Sequence, residues 1–268
     1  MKKIHAVIVD TYAQNQLARL AIEKTVRTGL VQRVHTFSTS PIYKGEEFHR
    51  INPIECTADY SHFLLNIVPY VVDADAILVI QWDGMPHSVQ HWDDDFLNYD
   101  YIGAPWGNCD ESVAVGNGGF SLRSRKLLET LKKLKIKCNT SLQDWDAEDV
   151  VICKHYRDKI MSLGCTFSPY LLARAFSIEN LGHGLSSFGF HGAFNLPKYL
   201  PERELLNSAE EICKRTSNDL FLINFLVACA NAKYLDLFSE VRYTLRRGDR
   251  YDHIGMLMQQ ANFSLPGY

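Results

Sequence analysis

"ILVIQWDG", residues 77–84, is the stretch on which the reading of the fold turns. Ile77 to Ile80 completes a short, β-branched apolar run that starts at Ala76, the composition of a buried strand. The run ends in Gln81, Trp82, Asp83 and Gly84, so a carboxylate stands at the tip of that strand. Open α/β sheets bind ligands beyond the carboxyl ends of their strands, and a carboxylate there can hold a divalent cation. Asp-Gly is also ordinary turn chemistry, and both readings stand for Asp83.

Working outward, strand and helix alternate. Ile4 to Val9 and Val31 to Phe37 read as strands, and Asn15 to Thr28 and Asp59 to Val72 as helices. Ile42 to Ile54 is less regular. This alternation predicts a mostly parallel sheet wrapped by helices. Residues 84–118 read as loop. Phe120 to Leu122 then reads as a short strand, Ser124 as the cap of a helix to about Leu134, and a further helix runs from near Asp146 to before Gly164. After Pro201 the pattern becomes helix upon helix: Glu202–Thr216, Asp219–Ala232, Tyr234–Arg247 and Tyr251–Ala261. The expected domains are 1–200, an α/β catalytic domain, and 201–268, a helical appendage.

Bulk properties bound the function. The chain has 268 residues, 46% hydrophobic and 22% charged, with a net charge of −3. A large core is expected, and nucleic acid or a polybasic membrane contact is not the default partner. Seven scattered cysteines without a Cys-x-x-Cys pair read as reduced thiols, in keeping with the cytoplasm. No signal peptide is read at the N-terminus. The apolar run Leu220 to Ala232 is 13 residues long, short of the roughly 20 that span a bilayer. It reads as a buried helix with Phe221, Phe225, Leu226 and Cys229 along one side. Arg242, Arg246, Arg247 and Arg250 follow it and keep an anionic membrane surface in view, beside self-association.

Four motifs carry chemistry. Asp83 is the first. In "AVGNGGFSLRSRKLL", 114–128, Gly116, Gly118 and Gly119 permit close backbone approach, without the spacing of a dinucleotide fingerprint or a P-loop. In "WDAEDVV", 145–151, Asp146, Glu148 and Asp149 open a helix, either as capping acids or as a general base held ionised by the helix terminus. In "FGFHG", 188–192, His191 reads as a packed histidine or a metal ligand. Trp82, Trp92, Trp106 and Trp145 all lie among these motifs, where aromatic faces suit sugar rings and cores alike.

Together, "ILVIQWDG", "WDDDFLNYDYIGAPW", "VGNGGFSLRSRKLL", "EDVVIC", "FSIE" and "FGFHG" resemble a family of GT-A-type glycosyltransferases filed largely as a domain of unknown function, whose members occur with surface-polysaccharide biosynthesis. The resemblance covers about residues 1–195. It implies a GT-A fold binding a nucleotide-sugar donor, UDP-linked by analogy, on a Rossmann-like sheet. Asp83 matches the metal-binding Asp of the Asp-x-Asp motif, with Gln81 in place of the first Asp. His191 matches the histidine that completes a Mn²⁺ or Mg²⁺ site. Asp149 matches the base of inverting enzymes, with Glu148 beside it. Val9, Asp10, Thr11 and Tyr12 would lie against the nucleoside, with Gln81, Trp82, Gly118 and Gly119 on the donor, and Trp106, Asn117 and Trp145 near the sugar or acceptor. The implied acceptor is a glycan or a lipid-linked hydroxyl at the inner face of the cell membrane. A non-catalytic nucleotide-sugar-binding protein on the same scaffold is the alternative, motivated by Gln81. A sugar nucleotidyltransferase ranks last, because no glycine-rich loop follows the first strand.

Overall fold

Ile4–Val9 forms β1, and all six of its side chains are buried, as the core strand of a parallel sheet requires. The structure is a computed structural model describing residues 2–107, 110–136, 147–180, 186–248 and 250–260. The chain packs as two units, Met1–His191 and Gly192–Tyr268.

In the first unit, β1 is followed by α1 (Gln16–Arg27), β2 (Arg33–Ser38) and β3 (Glu47–Arg50), the last lying in the region read as irregular. Helices α2 (Thr57–His62) and α3 (Val68–Val71) are joined by a π-helical turn over Phe63–Ile67, just ahead of Pro69, whose ring nitrogen cannot donate to the ladder. They cover one face of the sheet: Leu64 and Val68 pack with Val7, Val9, Phe37, Ile77 and Val79. The strand that contains Ile77 is β4 (Ala76–Val79), buried throughout as its composition predicts. Residues 84–118, read as loop, hold β5 (Gly84–Pro86) and β6 (Tyr101–Gly103). Next come β7 (Ser121–Ser124) and α4 (Arg125–Leu134), whose first turn is capped by the Ser124 hydroxyl accepting from the Leu127 N–H at 3.1 Å. The remaining elements are α5 (Glu148–Val150), a π-helical turn over Val151–His155, α6 (Arg157–Ser162), α7 (Tyr170–Phe176), β8 (Ser177–Ile178) and β9 (Gly189–His191).

The main sheet has the order β3-β2-β1-β4-β7-β6. Strands β1 to β4 run parallel, and β7 is antiparallel to both its neighbours. This is the mixed α/β, mostly parallel architecture expected. The chain leaves β1 toward β2 and β3 on one side and returns on the other as β4. The crevice between the ends of β1 and β4 is therefore a topological switch point, where such sheets bind ligands. A second sheet, β5-β9-β8, was not legible as strands. Its pairing places Gly84 opposite His191. Beneath it Phe96, Phe120, Phe176 and Phe188 are fully buried and in mutual ring contact, with Trp92 edge-on to Phe188 at 5.0 Å.

The second unit is helical: α8 (Leu196–Tyr199), α9 (Glu202–Leu205), α10 (Ala209–Arg215), α11 (Asp219–Ala232), α12 (Leu235–Arg246) and α13 (Tyr251–Gln260). Helix α11 has the bounds read from sequence. The Asn218 side chain caps it, accepting from Leu220 at 2.9 Å, and Leu222, Ile223, Phe225, Leu226 and Cys229 are buried. Phe221 is instead 46% exposed, which corrects its placing on the buried side. Arg250 does not offer a free cation to a membrane. It binds Asp219 and donates to the carbonyls of Cys213 and Thr216 at 3.0 and 2.8 Å, closing the end of α10. Among the described residues no helix is long and apolar enough to cross a membrane. The described cysteines, Cys56, Cys153, Cys165, Cys213 and Cys229, are free thiols.

One contact sets the glycine loop against the sheet. A Cβ on Gly103 would lie 2.0 Å from the Asn117 carbonyl oxygen, a backbone atom that cannot step aside. Gly103→Ala is expected to lower stability by about 1–3 kcal/mol through overpacking, read as a fall in Tm. An unchanged Tm would contradict the close approach.

Candidate active site

Residues Gly118 and Gly119 form a floor on which separate groups converge. A Cβ on Gly118 would lie 2.3 Å from Glu148 Oε1 and 2.9 Å from Asp149 Cβ. One on Gly119 would lie 2.2 Å from His191 Nε2 and 2.8 Å from Gln81 Oε1. Gly84 touches the same floor, its Cβ position 2.5 Å from the Gly119 carbonyl oxygen. The glycines are thus required for the approach of these side chains, and two consecutive residues bring the Asp149 side to the His191 side.

Arg123 lies under this floor. It is fully buried on β7, opposite Ile77 of β4 and Tyr101 of β6. Its guanidinium binds Glu148 Oε1 at 2.6 Å, donates from Nε to Ser121 Oγ at 3.0 Å, and stands 5.4 Å from the centre of the Tyr101 ring. Tyr101 donates to the Gly116 carbonyl at 2.7 Å. Burial opposes the Arg123 charge, and Glu148 overrides it, holding the guanidinium protonated above its ordinary range. Glu148, named above as a catalytic candidate, is therefore committed to an ion pair that is 1% and 6% exposed on its two sides.

Asp149 is differently placed. Its Oδ2 accepts from the Gly118 N–H at 2.9 Å and its Oδ1 from the Val150 N–H at 2.7 Å. Burial first, and the Glu148 charge second, push its carboxyl up to about 7. This corrects the expectation that the helix terminus keeps Asp149 well ionised: two N–H donors do not offset enclosure beside a second carboxylate. A carboxylate that titrates near neutrality suits proton transfer.

Across the floor, Gln81, Trp82, Asp83 and Gly84 make a tight turn, with mutual Gln81–Gly84 backbone hydrogen bonds at 3.0 Å. The turn reading of Asp-Gly holds, and the turn aims Asp83 at the site. Because β5 pairs with β9, Asp83 Oδ1 stands 3.6 Å from His191 Nε2, across 108 residues of sequence. His191 Nδ1 meets Glu179 Oε1 at 3.0 Å, and Nε2 meets Gln81 Oε1 at 3.1 Å. The Gln81 amide nitrogen in turn donates to the Tyr60 hydroxyl at 2.6 Å, so its oxygen faces His191. Burial works against a charged His191, but Asp83 and then Glu179 carry it up to about 9.

This donor set fits a divalent cation. Two ligands of one ion at about 2.0–2.2 Å lie about 3.0–3.5 Å apart, and the Asp83–His191 pair is close to that. A carboxylate on the far nitrogen of the imidazole is the outer-shell partner that orients a metal-ligating histidine. Glu179, Tyr60 and Arg123 were not singled out from sequence. The signals were there in part: "FSIE" contains Glu179, and Arg123 directly follows the segment read as a strand, Phe120 to Leu122, where a charge must be paired.

Other candidates divide. Asp10, Thr11 and Tyr12 sit at the end of β1, beside the Gln81 end of β4. The Tyr12 N–H donates to Asp10 Oδ1 at 2.9 Å, and Thr11 Oγ1 accepts from Ile54 at 2.9 Å. The Val9 side chain belongs to the apolar core. Trp82 lies in the turn, partly buried. The Trp106 ring covers Gly116 and carries Lys154 Nζ at 4.5 Å from its centre. Asn117 is buried, its Oδ1 accepting from the Gly119 N–H at 3.2 Å, so it shapes the loop. Trp145 and Asp146 lie outside the described residues.

A sequence profile described as "Protein of unknown function (DUF5672)" matches residues 44–191. No curated protein matches the chain. Among solved structures, the chain is similar to a glycosyltransferase involved in the glycosylation of the major capsid of PBCV-1, at 12% identity and TM-score 0.47 over 70% of this chain and 92% of that one. It is similar to the mannosyltransferase PcManGT from Pyrobaculum calidifontis in complex with GDP-Man and Mn²⁺, at 10% identity and TM-score 0.42 over 99% of this chain and 81% of that one. It is also similar to the galactosyltransferase LgtC in complex with donor and acceptor sugar analogs, at 12% identity and TM-score 0.40 over 70% of this chain and 86% of that one.

The Arg123–Glu148 pair makes a stability prediction. Arg123→Met leaves Glu148 buried without its partner and is expected to cost about 3–5 kcal/mol in denaturant unfolding. Arg123→Met combined with Glu148→Leu is expected to recover much of that loss. A double variant as unstable as the sum of both singles would contradict the pairing.

Proposed function

From a chain that belongs to the DUF5672 family, a family whose description carries no activity, we propose a GT-A-type glycosyltransferase that moves a sugar from a nucleotide donor to an acceptor hydroxyl. The observation that carries the reading is the convergence on Gly118–Gly119 of two functions. One is Asp83 and His191, spaced for a cation and backed by Glu179. The other is Asp149, a carboxyl near neutrality. The switch point between β1 and β4 supplies the crevice for the nucleotide, with Asp10, Thr11 and Tyr12 on its rim.

Asp83 Oδ1 and His191 Nε2 would hold Mn²⁺ or Mg²⁺, with the Gln81 amide oxygen, aimed by Tyr60, beside them. Such a cation, when bound, neutralises the charge that develops on a departing diphosphate. Glu179 keeps His191 Nε2 turned toward the diphosphate side. Gly118 and Gly119, without side chains, let the donor approach the backbone. Asp149 takes the proton of the acceptor hydroxyl as its oxygen bonds to the anomeric carbon and the bond to the diphosphate oxygen breaks. One carboxylate outside an ion pair, acting as base, with Glu148 tied to Arg123, supports single displacement with inversion. The resemblance in the motifs favours a UDP-sugar donor and a glycan or lipid-linked acceptor in surface-polysaccharide synthesis, with Trp82 against the donor. The helical second unit would serve association.

Three experiments test this. Asp149→Asn is expected to lower kcat by about 10²–10⁴-fold while donor affinity, measured by calorimetry, stays within a few-fold, because a base acts in the transition state. Activity within a few-fold of the parent would reduce Asp149 to a helix cap. In the parent, only ionised Asp149 accepts a proton, so kcat/KM is expected to fall as pH drops through about 7 and to level off above it. An acid limb near the usual carboxylate range instead would contradict the environment described for Asp149. Separately, Asp83→Asn is expected to abolish the gain in donor affinity that Mn²⁺ brings, while circular dichroism shows the chain still folded without metal. A full Mn²⁺ effect in that variant removes Asp83 from the cation site.

A further inference from the structure

A second cluster of ligating side chains lies away from the candidate active site, on the outer strands of the main sheet. His35 on β2 and Glu47 and His49 on β3 present one donor atom each, all within 4.8 Å of one another. His35 Nδ1 is 3.1 Å from His49 Nε2 and 3.3 Å from Glu47 Oε2. Strands β1 and β2 separate β3 from β4, whose end carries Asp83, so this cluster shares no residue with the cation pair above.

The geometry points to a binding site for a Zn²⁺-like transition cation at His35 Nδ1, His49 Nε2 and Glu47 Oε2. Two ligands at about 2.0–2.2 Å from one ion stand about 3.0–3.5 Å apart for angles between 90° and the tetrahedral value, and both measured separations fall in that range. Two imidazoles and one carboxylate favour zinc, cobalt or nickel over magnesium, which prefers oxygen.

Each ligand is held by an outer partner, as metal-binding side chains are. His35 Nε2 meets His5 Nδ1 at 2.9 Å, which leaves Nδ1 of His35 directed at the cluster. Glu47 is held through its other oxygen by Arg33. The His49 ring stacks on Phe37, with centroids 4.5 Å apart. Hydrogen bonding alone serves the cluster poorly. With a proton on His35 Nδ1, that one hydrogen faces both the Glu47 oxygen and the His49 nitrogen; without it, Nδ1 can accept from His49 but turns a lone pair toward the Glu47 oxygen. A cation at that point satisfies all three. The His35 side chain is 4% exposed and Glu47 39%, so the site has a sheltered wall and an open side for entry. Bound there, the ion would clip the four-residue edge strand β3 to β2.

The test uses the full chain, stripped of metal, carrying Asp83→Asn so that the other cation pair is disabled. Titration with Zn²⁺ by calorimetry, and with Co²⁺ by visible absorption, is expected to show one equivalent bound and a Tm that rises with metal concentration. Mg²⁺ at the same concentrations is expected to give no shift. Adding His49→Ala, at a partly exposed position, is expected to weaken Zn²⁺ binding by at least tenfold and to alter the Co²⁺ spectrum. Glu47→Gln provides a second variant that keeps the size of the side chain, with the same expectation. Circular dichroism confirms that each variant is folded. No Zn²⁺ binding in the Asp83→Asn chain, or undiminished binding in folded His49→Ala and Glu47→Gln chains, would overturn the site.

Discussion

A guanidinium sealed inside a sheet must be paired, and the pairing of Arg123 organises the site. Removing a charge from water costs several kcal/mol that only a close partner returns. Arg123 therefore draws Glu148 to 2.6 Å, and with Glu148 comes the start of α5 and its next residue, Asp149. The same side chain fixes Ser121, and its ring neighbour Tyr101 holds the Gly116 carbonyl. Gly118 has no side chain because Glu148 and Asp149 occupy the space where one would be. Loop, helix start and carboxyl thus have one common cause.

The electrostatics follow from that arrangement. Glu148 spends its charge on Arg123, yet remains near enough to Asp149 to oppose a second ionisation. On the other side of the two glycines, the excess of negative charge from Asp83 and Glu179 holds a proton on His191. Two carboxylates that favour an imidazolium at this point also favour a cation there. The two halves meet because the second sheet pairs β5 with β9, which folds a turn at residue 83 against a strand that ends at residue 191.

The fold was legible where composition and burial coincide. Strand β4 is apolar on both faces and is buried on both, and helix α11 is apolar nearly all round and runs over the span its sequence suggests. Short polar strands were not: Glu47–Arg50 sets two rings between two charges at a sheet edge, and Gly189–His191 is only three residues long. Asp83, His191 and Asp149 could be named from motifs, whereas Glu179, Tyr60 and Arg123 act only through pairing partners distant in sequence. Glu148 and Asp149 are told apart in the sequence only by the motif resemblance, because nothing local distinguishes an acid bound by an arginine from one left to titrate. Trp106 and Asn117, named from motifs, have in the structure a Lys154 contact and a hydrogen bond within the glycine loop, neither of which is legible in the sequence.

The central claim is that one crevice holds both the cation and the nucleotide. Crystals soaked with UDP and Mn²⁺, with diffraction recorded at the manganese absorption edge, test it most directly. The account predicts an anomalous peak within bonding distance of Asp83 Oδ1 and His191 Nε2, with the diphosphate over Gly118 and Gly119 and the uridine toward Asp10 and Tyr12. A nucleotide bound elsewhere, or no manganese between Asp83 and His191 with UDP in place, would contradict it.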